Sequence, residues 1–132
     1  MKKTLTESLI YTLELVEAGI LSAPEYFNRD NFDELLKICN ACGAKGSRLP
    51  IPQTAYGMSL KPMCHIHDVR YFKGVTNDDK DVGDREMRNN GCRLIRANSV
   101  WWLKSLRKAR VQTYYMTVHV FGGEAFWDGK IV

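Results

Sequence analysis

Apolar positions recur every three or four residues along most of the chain, which is the pattern of helices that bury one face. Thr4, with Glu7 three residues later, has the form of a capping box and predicts where a first helix begins. A second, short helix is expected to start at Asp30 or Asn31. The apolar rows of these two helices are Leu5, Leu9, Leu13, Val16 and Ile20, and then Phe32, Leu35, Leu36 and Cys39.

Residues 40–57 contain three glycines and two prolines and predict a long glycine-rich loop. Loops of this length inside a compact domain usually have a function. A third helix is predicted over residues 61–73, with Gly74 ending it, and Thr76 with Asp79 opens a fourth. Because the connection between them is tight, these two helices are expected to form an antiparallel hairpin.

The third predicted helix carries polar side chains where a helix normally buries apolar ones. The residues at positions i, i+3, i+4 and i+7 of one face are Cys64, His67, Asp68 and Tyr71. In the hairpin, Asp84 of the fourth helix comes across from His67. A neutral histidine that a buried carboxylate orients can take a proton from water. The plainer alternative is a core histidine that a carboxylate satisfies.

The C-terminal third gives a less clear pattern. Residues 111–121 are rich in β-branched and aromatic side chains, which suits a strand, yet their apolar positions also fit a helix face. Trp101 and Trp102 are expected to fill the core, and His119 is expected to be structural. In sum, the pattern predicts a mostly α protein with one domain over residues 1–132, divided into N-terminal helices (1–38) and a motif-bearing part (39–127).

The formal net charge is +4, and the basic residues concentrate between residues 85 and 110. Such a cluster either attracts phosphates or is simply a solvated face. Segment 93–110, with its tryptophans, is a candidate surface for phospholipid or a membrane, and nucleic acid is not favoured. Acidic residues interrupt the first helix, which is therefore not a signal-peptide core. We expect synthesis in the cytoplasm, with release on lysis or association with a virion as the routes outward.

Cys-x-x-His-Asp-x-x-Tyr at 64–71 resembles the central motif of the phospholipase A2 family. Upstream, residues 40–43 are similar to the family's Cys-Gly calcium loop, and downstream Asp84 is similar to the aspartate that backs the histidine. The tail 114–122 looks like the closing helix of bacterial secreted members, which favours the helical interpretation. Residues 121–127 are also similar to a closing Phe-Gly-Gly-x-Ala-Phe-Trp in uncharacterised phage and prophage proteins.

This resemblance implies a small helical hydrolase that cleaves phospholipid esters with a water activated by histidine and aspartate. In that scheme His67 is the general base, Asp84 orients it, and Tyr71 braces Asp84. The scheme needs no covalent nucleophile, because the water itself attacks the ester.

The resemblance also implies a calcium ion, whose positive charge would polarise the ester carbonyl. A disulfide between Cys42 and Cys64 is implied as well. The family usually has glycine where this sequence has Lys45. The implied Ca²⁺ ligands are the carboxylate of Asp68 and the carbonyls of Ala41, Gly43 and Lys45.

Two alternatives remain open at this point. The spacing Cys-x-x-Cys-Gly at residues 39–43 is also that of a zinc knuckle, which would make the protein a small zinc-binding protein. The protein could instead be a non-catalytic phage protein that keeps the helical scaffold. The ligands of the zinc alternative are Cys39, Cys42, Cys64 and His67.

Overall fold

The computed structural model of the protein describes residues 4–39, 54–128 and 130, and these residues are mostly helical. A 3₁₀ turn at Arg29–Asn31 precedes α2, and β1 (Thr54–Ala55) pairs with β2 (Met58–Ser59) in an antiparallel sheet. The prediction of a mostly α protein is confirmed. The helices are α1 (Leu5–Glu17), α2 (Phe32–Ile38), α3 (Lys61–Lys73), α4 (Asn77–Asn98), α5 (Trp101–Phe121) and α6 (Gly123–Trp127).

Helix α3 is the centre of the fold. Residues 62–67 are buried without a break, so this helix has no solvent-facing side over nearly two turns. A helix can be buried all round only when other elements surround it, and α1, α2, α4 and α6 all pack against α3. The polar residues of α3 therefore lie inside the core.

The N-terminal segment folds as its pattern predicts. The hydroxyl of Thr4 accepts a hydrogen bond from the Glu7 amide at 3.1 Å, so α1 begins at the expected cap. Leu9 and Leu13 are buried, and Gly19 lies just beyond the helix with a φ of 76°, a left-handed conformation that favours glycine.

The antiparallel hairpin is also present, formed by α3 and α4. Thr76 and Asp79 make a complete capping box at the start of α4, as their spacing predicts. Gly74 is required in the connection, because a Cβ there would lie 2.7 Å from Cε2 of Phe126 and 3.0 Å from the Arg70 carbonyl oxygen. The buried residues of α4 include Asp84, Met87, Leu94 and Ile95.

The prediction of a loop over residues 40–57 is wrong at its end, while residues 40–53 lie outside the described part. Tyr56 and Gly57 both have positive φ angles, 50° and 84°, which is the requirement of a two-residue hairpin turn. The strands on either side therefore pair instead of forming a loop. Buried Arg107 of α5 fixes this hairpin by donating to the carbonyl oxygens of Ala55 at 3.1 Å and Tyr56 at 2.7 Å.

Residues 111–121 belong to α5, so the helical interpretation is confirmed. The expectation that Trp101 and Trp102 fill the core is wrong, because their residues are 81% and 57% exposed. The physical reason is register: the buried residues of α5 recur at i, i+4, i+7 and i+11, and both tryptophans fall outside that row. The members of the buried row are Arg107, Val111, Tyr114 and Val118.

We predict that Gly91→Ala lowers the free energy of unfolding by about 1–3 kcal/mol, the usual cost of overpacking a core. A Cβ at Gly91 would lie 2.7 Å from Val111 Cγ1 and 2.9 Å from Met63 Sδ, where α3, α4 and α5 meet. This cost should exceed the gain of about 1 kcal/mol in helix propensity. Urea unfolding of both proteins measures the difference.

Gly123→Ala is the matched control, because a Cβ there meets nothing within 4 Å. We expect that control to leave the free energy of unfolding unchanged or to raise it by up to about 1 kcal/mol, the same gain in helix propensity without the clash. Equal stability of wild type and Gly91→Ala would contradict the close packing described at this crossing.

Candidate active site

His67 and Asp84 meet across the α3–α4 hairpin, as the sequence predicts. Nε2 of His67 lies 2.8 Å from Oδ1 of Asp84, which is hydrogen-bonding distance. The His67 side chain is only 9% exposed and the Asp84 side chain is fully buried. The pair is therefore shielded from bulk water, and the orientation of the imidazole is set by a carboxylate on the neighbouring helix.

Asp84 accepts hydrogen bonds from three side chains. Besides His67, the Tyr71 hydroxyl donates to Oδ1 at 2.7 Å, and the Lys80 ammonium donates to Oδ2 at 2.8 Å. Burial alone would raise the pKa of Asp84, but the hydrogen bonds from His67, Lys80 and Tyr71 lower it below its ordinary value. Asp84 is thus an ionised carboxylate at neutral pH.

Lys80 is the member of this cluster that sequence reasoning missed. Its ammonium is buried and also donates to the carbonyl oxygens of Val118 at 3.0 Å and His119 at 3.2 Å. Those carbonyls belong to the last turn of α5, where a positive charge is favourable. Lys80 therefore connects the carboxylate to a third helix. The available signal was its position four residues before Asp84, on the inward face of α4.

Tyr71 links the pair to α6. Its ring lies 4.0 Å from the His67 ring, centroid to centroid, and Phe126 meets its edge at 5.3 Å. A Cβ at Gly122 would lie 2.6 Å from the Tyr71 hydroxyl, so glycine is needed there. Burial, and then the Asp84 charge, raise the pKa of Tyr71, which keeps it a hydrogen-bond donor. The Phe-Gly-Gly-x-Ala-Phe-Trp segment thus packs behind the site.

The hydrogen bond to Asp84 fixes the tautomer of neutral His67. An ionised carboxylate only accepts, so Nε2 carries the proton and Nδ1 carries the free lone pair. Among the described residues, none makes a hydrogen bond with Nδ1. The arrangement can therefore accept a proton at Nδ1 while Asp84 stabilises the resulting imidazolium, which is the requirement for a general base.

Of the predicted Ca²⁺ ligands, the structure describes Asp68 alone. Asp68 follows His67 directly in α3 and is half buried. Burial, and then the charge of Asp68, raise the pKa of the Cys39 thiol. The other predicted Ca²⁺ ligands lie outside the described residues: Ala41, Gly43 and Lys45.

The cysteines of the zinc alternative are engaged in other ways in this structure. The Cys39 thiol donates to the His65 carbonyl oxygen at 3.4 Å, and its raised pKa keeps it protonated at neutral pH. Cys64 is disulfide-bonded, whereas Cys39 and Cys92 are free. Cys42, the predicted disulfide partner of Cys64 and a predicted zinc ligand, lies outside the described residues.

One further cluster has the composition of a metal site. Ligand atoms of Asp81, Asp84 and His119 lie within 4.8 Å of one another. However, the Lys80 ammonium already lies 2.8 Å from the inner oxygen of this cluster, Oδ2 of Asp84. A divalent cation would have to stand beside that ammonium, so electrostatics disfavour a metal there.

His65, two residues before His67, is a histidine with a purely structural role. It is fully buried, and Nε2 lies 2.9 Å from the Ser8 hydroxyl of α1, while Nδ1 has no hydrogen-bond partner among the residues that the structure describes. Burial, with a smaller effect from the charge of Lys61, lowers the pKa of His65 from 6.5 to about 4. Its imidazole is a neutral core group that no carboxylate supports.

Comparison of the chain with protein-family models, curated proteins and solved structures finds no match. In the part of the chain that the structure describes, no helix combines the length and apolar composition needed to cross a membrane. The chemistry of the site has to be inferred from its own geometry.

We predict that acid destabilises the protein through His65. The unfolded chain binds a proton at His65 below pH 6.5, but the folded protein does so only near pH 4, so the free energy of unfolding falls between these values. The loss assigned to this residue is about 3 kcal/mol. Urea unfolding at several pH values measures it.

The control is His65→Gln, which cannot titrate in this range. Its overall stability will differ from that of wild type, so the quantity compared is the change between pH 6.5 and pH 4 within each protein. Wild type should lose about 3 kcal/mol more than the variant. Parallel pH curves would show that His65 titrates alike in both states.

Proposed function

We propose that the protein is a calcium-dependent ester hydrolase of phospholipase A2 type, acting on phospholipids. The observation that carries this proposal is the 2.8 Å contact between Nε2 of buried His67 and Oδ1 of Asp84, which leaves Nδ1 as the basic nitrogen. Tyr71 and Lys80 donate to the same carboxylate, so Asp84 is held in place beside His67 from both of its oxygens. That extra support suits a group that must hold its geometry while a charge develops beside it.

In the proposed reaction, Nδ1 of His67 takes a proton from water as the water oxygen bonds to the ester carbonyl carbon. The bond between that carbon and the alcohol oxygen then breaks, and the departing oxygen takes the proton from His67. The products are a fatty acid and a lysophospholipid. Asp84 stays ionised and stabilises the transient imidazolium. Proton transfer by a positioned general base is typically worth 10²- to 10⁴-fold in rate.

A calcium ion fits the one proposed ligand that is described. The Asp68 carboxylate, which follows the proposed base directly in sequence, is a hard oxygen donor of the kind that Ca²⁺ prefers. The carbonyls of Ala41, Gly43 and Lys45 would complete the set. When bound, the ion would supply positive charge next to the developing oxyanion of the ester.

The disulfide at Cys64 supports action in an oxidising place, because disulfides do not persist in a reducing cytosol. Extracellular calcium is also abundant enough for sites of millimolar affinity. We therefore propose that the protein acts after lysis or export, or as part of a virion. A non-catalytic phage protein that keeps this scaffold is the competing proposal, and an activity measurement separates the two.

We predict that the wild type releases fatty acid from anionic phospholipid vesicles in the presence of Ca²⁺ and that chelating the ion abolishes release. His67→Gln should lower kcat/KM at least about 100-fold, because glutamine cannot accept a proton at the position of Nδ1. Titration of released fatty acid, with and without Ca²⁺, measures both effects.

His119→Gln is the matched control, since His119 is exposed and lies 3.8 Å from Asp84, beyond hydrogen-bonding distance. It should keep activity within about threefold of wild type, as expected of a residue outside the acid–base pair. Equal release by wild type and His67→Gln, with and without Ca²⁺, would remove the enzyme proposal and favour the non-catalytic one.

We predict that Cys39→Ser leaves hydrolysis unchanged and that the purified protein holds no zinc. The Cys39 thiol is a buried hydrogen-bond donor to a carbonyl, a role that a hydroxyl can take over. Metal analysis of both proteins, together with the vesicle assay, tests this. One tightly bound zinc per chain in wild type, lost in Cys39→Ser, would instead establish the zinc-binding alternative.

A further inference from the structure

The connection between α4 and α5 exposes two adjacent tryptophans. Trp101 is 81% exposed and Trp102 is 57% exposed, and Val100 and Leu106 beside them are exposed as well. The buried face of α5 runs through Arg107 and Val111, so the core does not use these side chains. Contiguous apolar surface of this kind usually marks a place where something binds.

The same region carries only positive charge. No Asp or Glu occurs between Glu86 and Glu124, whereas seven Lys or Arg do. Arg107 is one of the seven, but its guanidinium is buried and holds the β1–β2 hairpin. Of the rest, Arg93, Arg96 and Lys108 are exposed. An acidic partner would therefore be attracted to this end of the molecule.

The apolar and the basic side chains of this region lie together on the surface of α5. Trp101, Lys104 and Lys108 follow one another at i, i+3 and i+7 and form one row, while Trp102 and Leu106 form an adjacent row at i and i+4. The two tryptophans thus stand at the start of α5, and Lys104 and Lys108 follow within the next two turns on the same side of the helix.

The end of α4 adds a place for a head group. A surface depression of about 320 Å³ is lined by Arg93 and Arg96 together with Gly19, Ile20 and Ala97. Two guanidinium groups beside one depression are suited to a phosphate, which they can bind through paired hydrogen bonds.

We propose that this end of the molecule, the tryptophan–arginine surface formed by Arg93, Arg96, Trp101, Trp102, Lys104 and Lys108, docks on a membrane rich in anionic lipid. Tryptophan is enriched at the boundary between lipid head groups and acyl chains. Clustered lysine and arginine add attraction to anionic lipid of about 1 kcal/mol each, which is roughly fivefold in affinity per residue. The proposal concerns adsorption alone and stands whether or not His67 hydrolyses the lipid.

Two other occupants fit less well. Single-stranded nucleic acid would use the cations and could stack on the tryptophans, but it gives no role to the exposed aliphatic Val100 and Leu106. A second copy related by two-fold symmetry would bring the same positive surface against itself. A lipid surface uses the apolar and the basic side chains together.

The test is sedimentation of the full chain with sucrose-loaded vesicles, either of phosphatidylcholine alone or with one third phosphatidylglycerol, in chelator so that no hydrolysis intervenes. Wild type should bind the anionic vesicles, and less so as salt rises. Trp101→Ala/Trp102→Ala should bind roughly tenfold or more weakly. Arg93→Gln/Arg96→Gln should bind roughly 25-fold more weakly, from two charges at fivefold each.

Lys37→Gln/Arg85→Gln is the matched control, because it removes the same charge from exposed positions elsewhere. Its affinity for anionic vesicles should stay within about threefold of wild type if the position of the charges, and not the net charge, determines binding. Unchanged thermal unfolding of the tryptophan variant would confirm that its loss is not misfolding.

Any of five results would overturn the proposal. Three come from the vesicle assay: no binding of wild type to anionic vesicles at low salt, equal binding to both vesicle types, and equal losses in the control and arginine variants. The other two are a tryptophan-dependent dimer and tighter binding to a single-stranded oligonucleotide than to vesicles.

Discussion

The structure depends on one fully buried carboxylate, that of Asp84. An isolated charge in the core would be prohibitively costly, so the fold must bring donors to it. His67 and Tyr71 arrive from α3, and Lys80 arrives from the preceding turn of α4. Because Lys80 also holds the last carbonyls of α5, satisfying Asp84 fixes three helices relative to one another.

The two buried histidines of α3 differ in their hydrogen-bond partners and not in their burial. His65 and His67 are two residues apart and both lie in the core. His65 faces a neutral serine hydroxyl, and burial lowers its pKa to about 4, so protonating it in the folded state is unfavourable. His67 faces a carboxylate that can stabilise an added proton. Only the second environment offers an added proton a negatively charged hydrogen-bond partner.

Much of this could be predicted from the chain, and the misses have physical causes. The capping pair Thr76 and Asp79 and the tight connection before them set the hairpin, and the hairpin brings His67 to Asp84. Lys80 was missed because a lysine is assumed to be solvated, although it lies on the inward face of α4 with Asp84. Trp101 was misplaced because apolar character does not tell which side of a helix faces the core. The β1–β2 hairpin was missed because its turn depends on Tyr56 taking a left-handed conformation that its residue type rarely adopts.

The exposure of Trp101 and Trp102 and the burial of Lys80 have the same cause, which is the way the core packs around α3. The core is filled around α3, and the α5 face that reaches it is occupied by Arg107 and Val111 at one end and by Val118 at the other. Two buried cations therefore connect elements in the interior: Lys80 donates to a carbonyl of α5, and Arg107 donates to a carbonyl of the β1–β2 hairpin. The tryptophan rings, in contrast, lie on the surface. A chain that only needed stability would have the reverse distribution. In the described part of the chain, exposed tryptophans beside exposed cations are thus a surface for which folding gives no reason, and binding gives one.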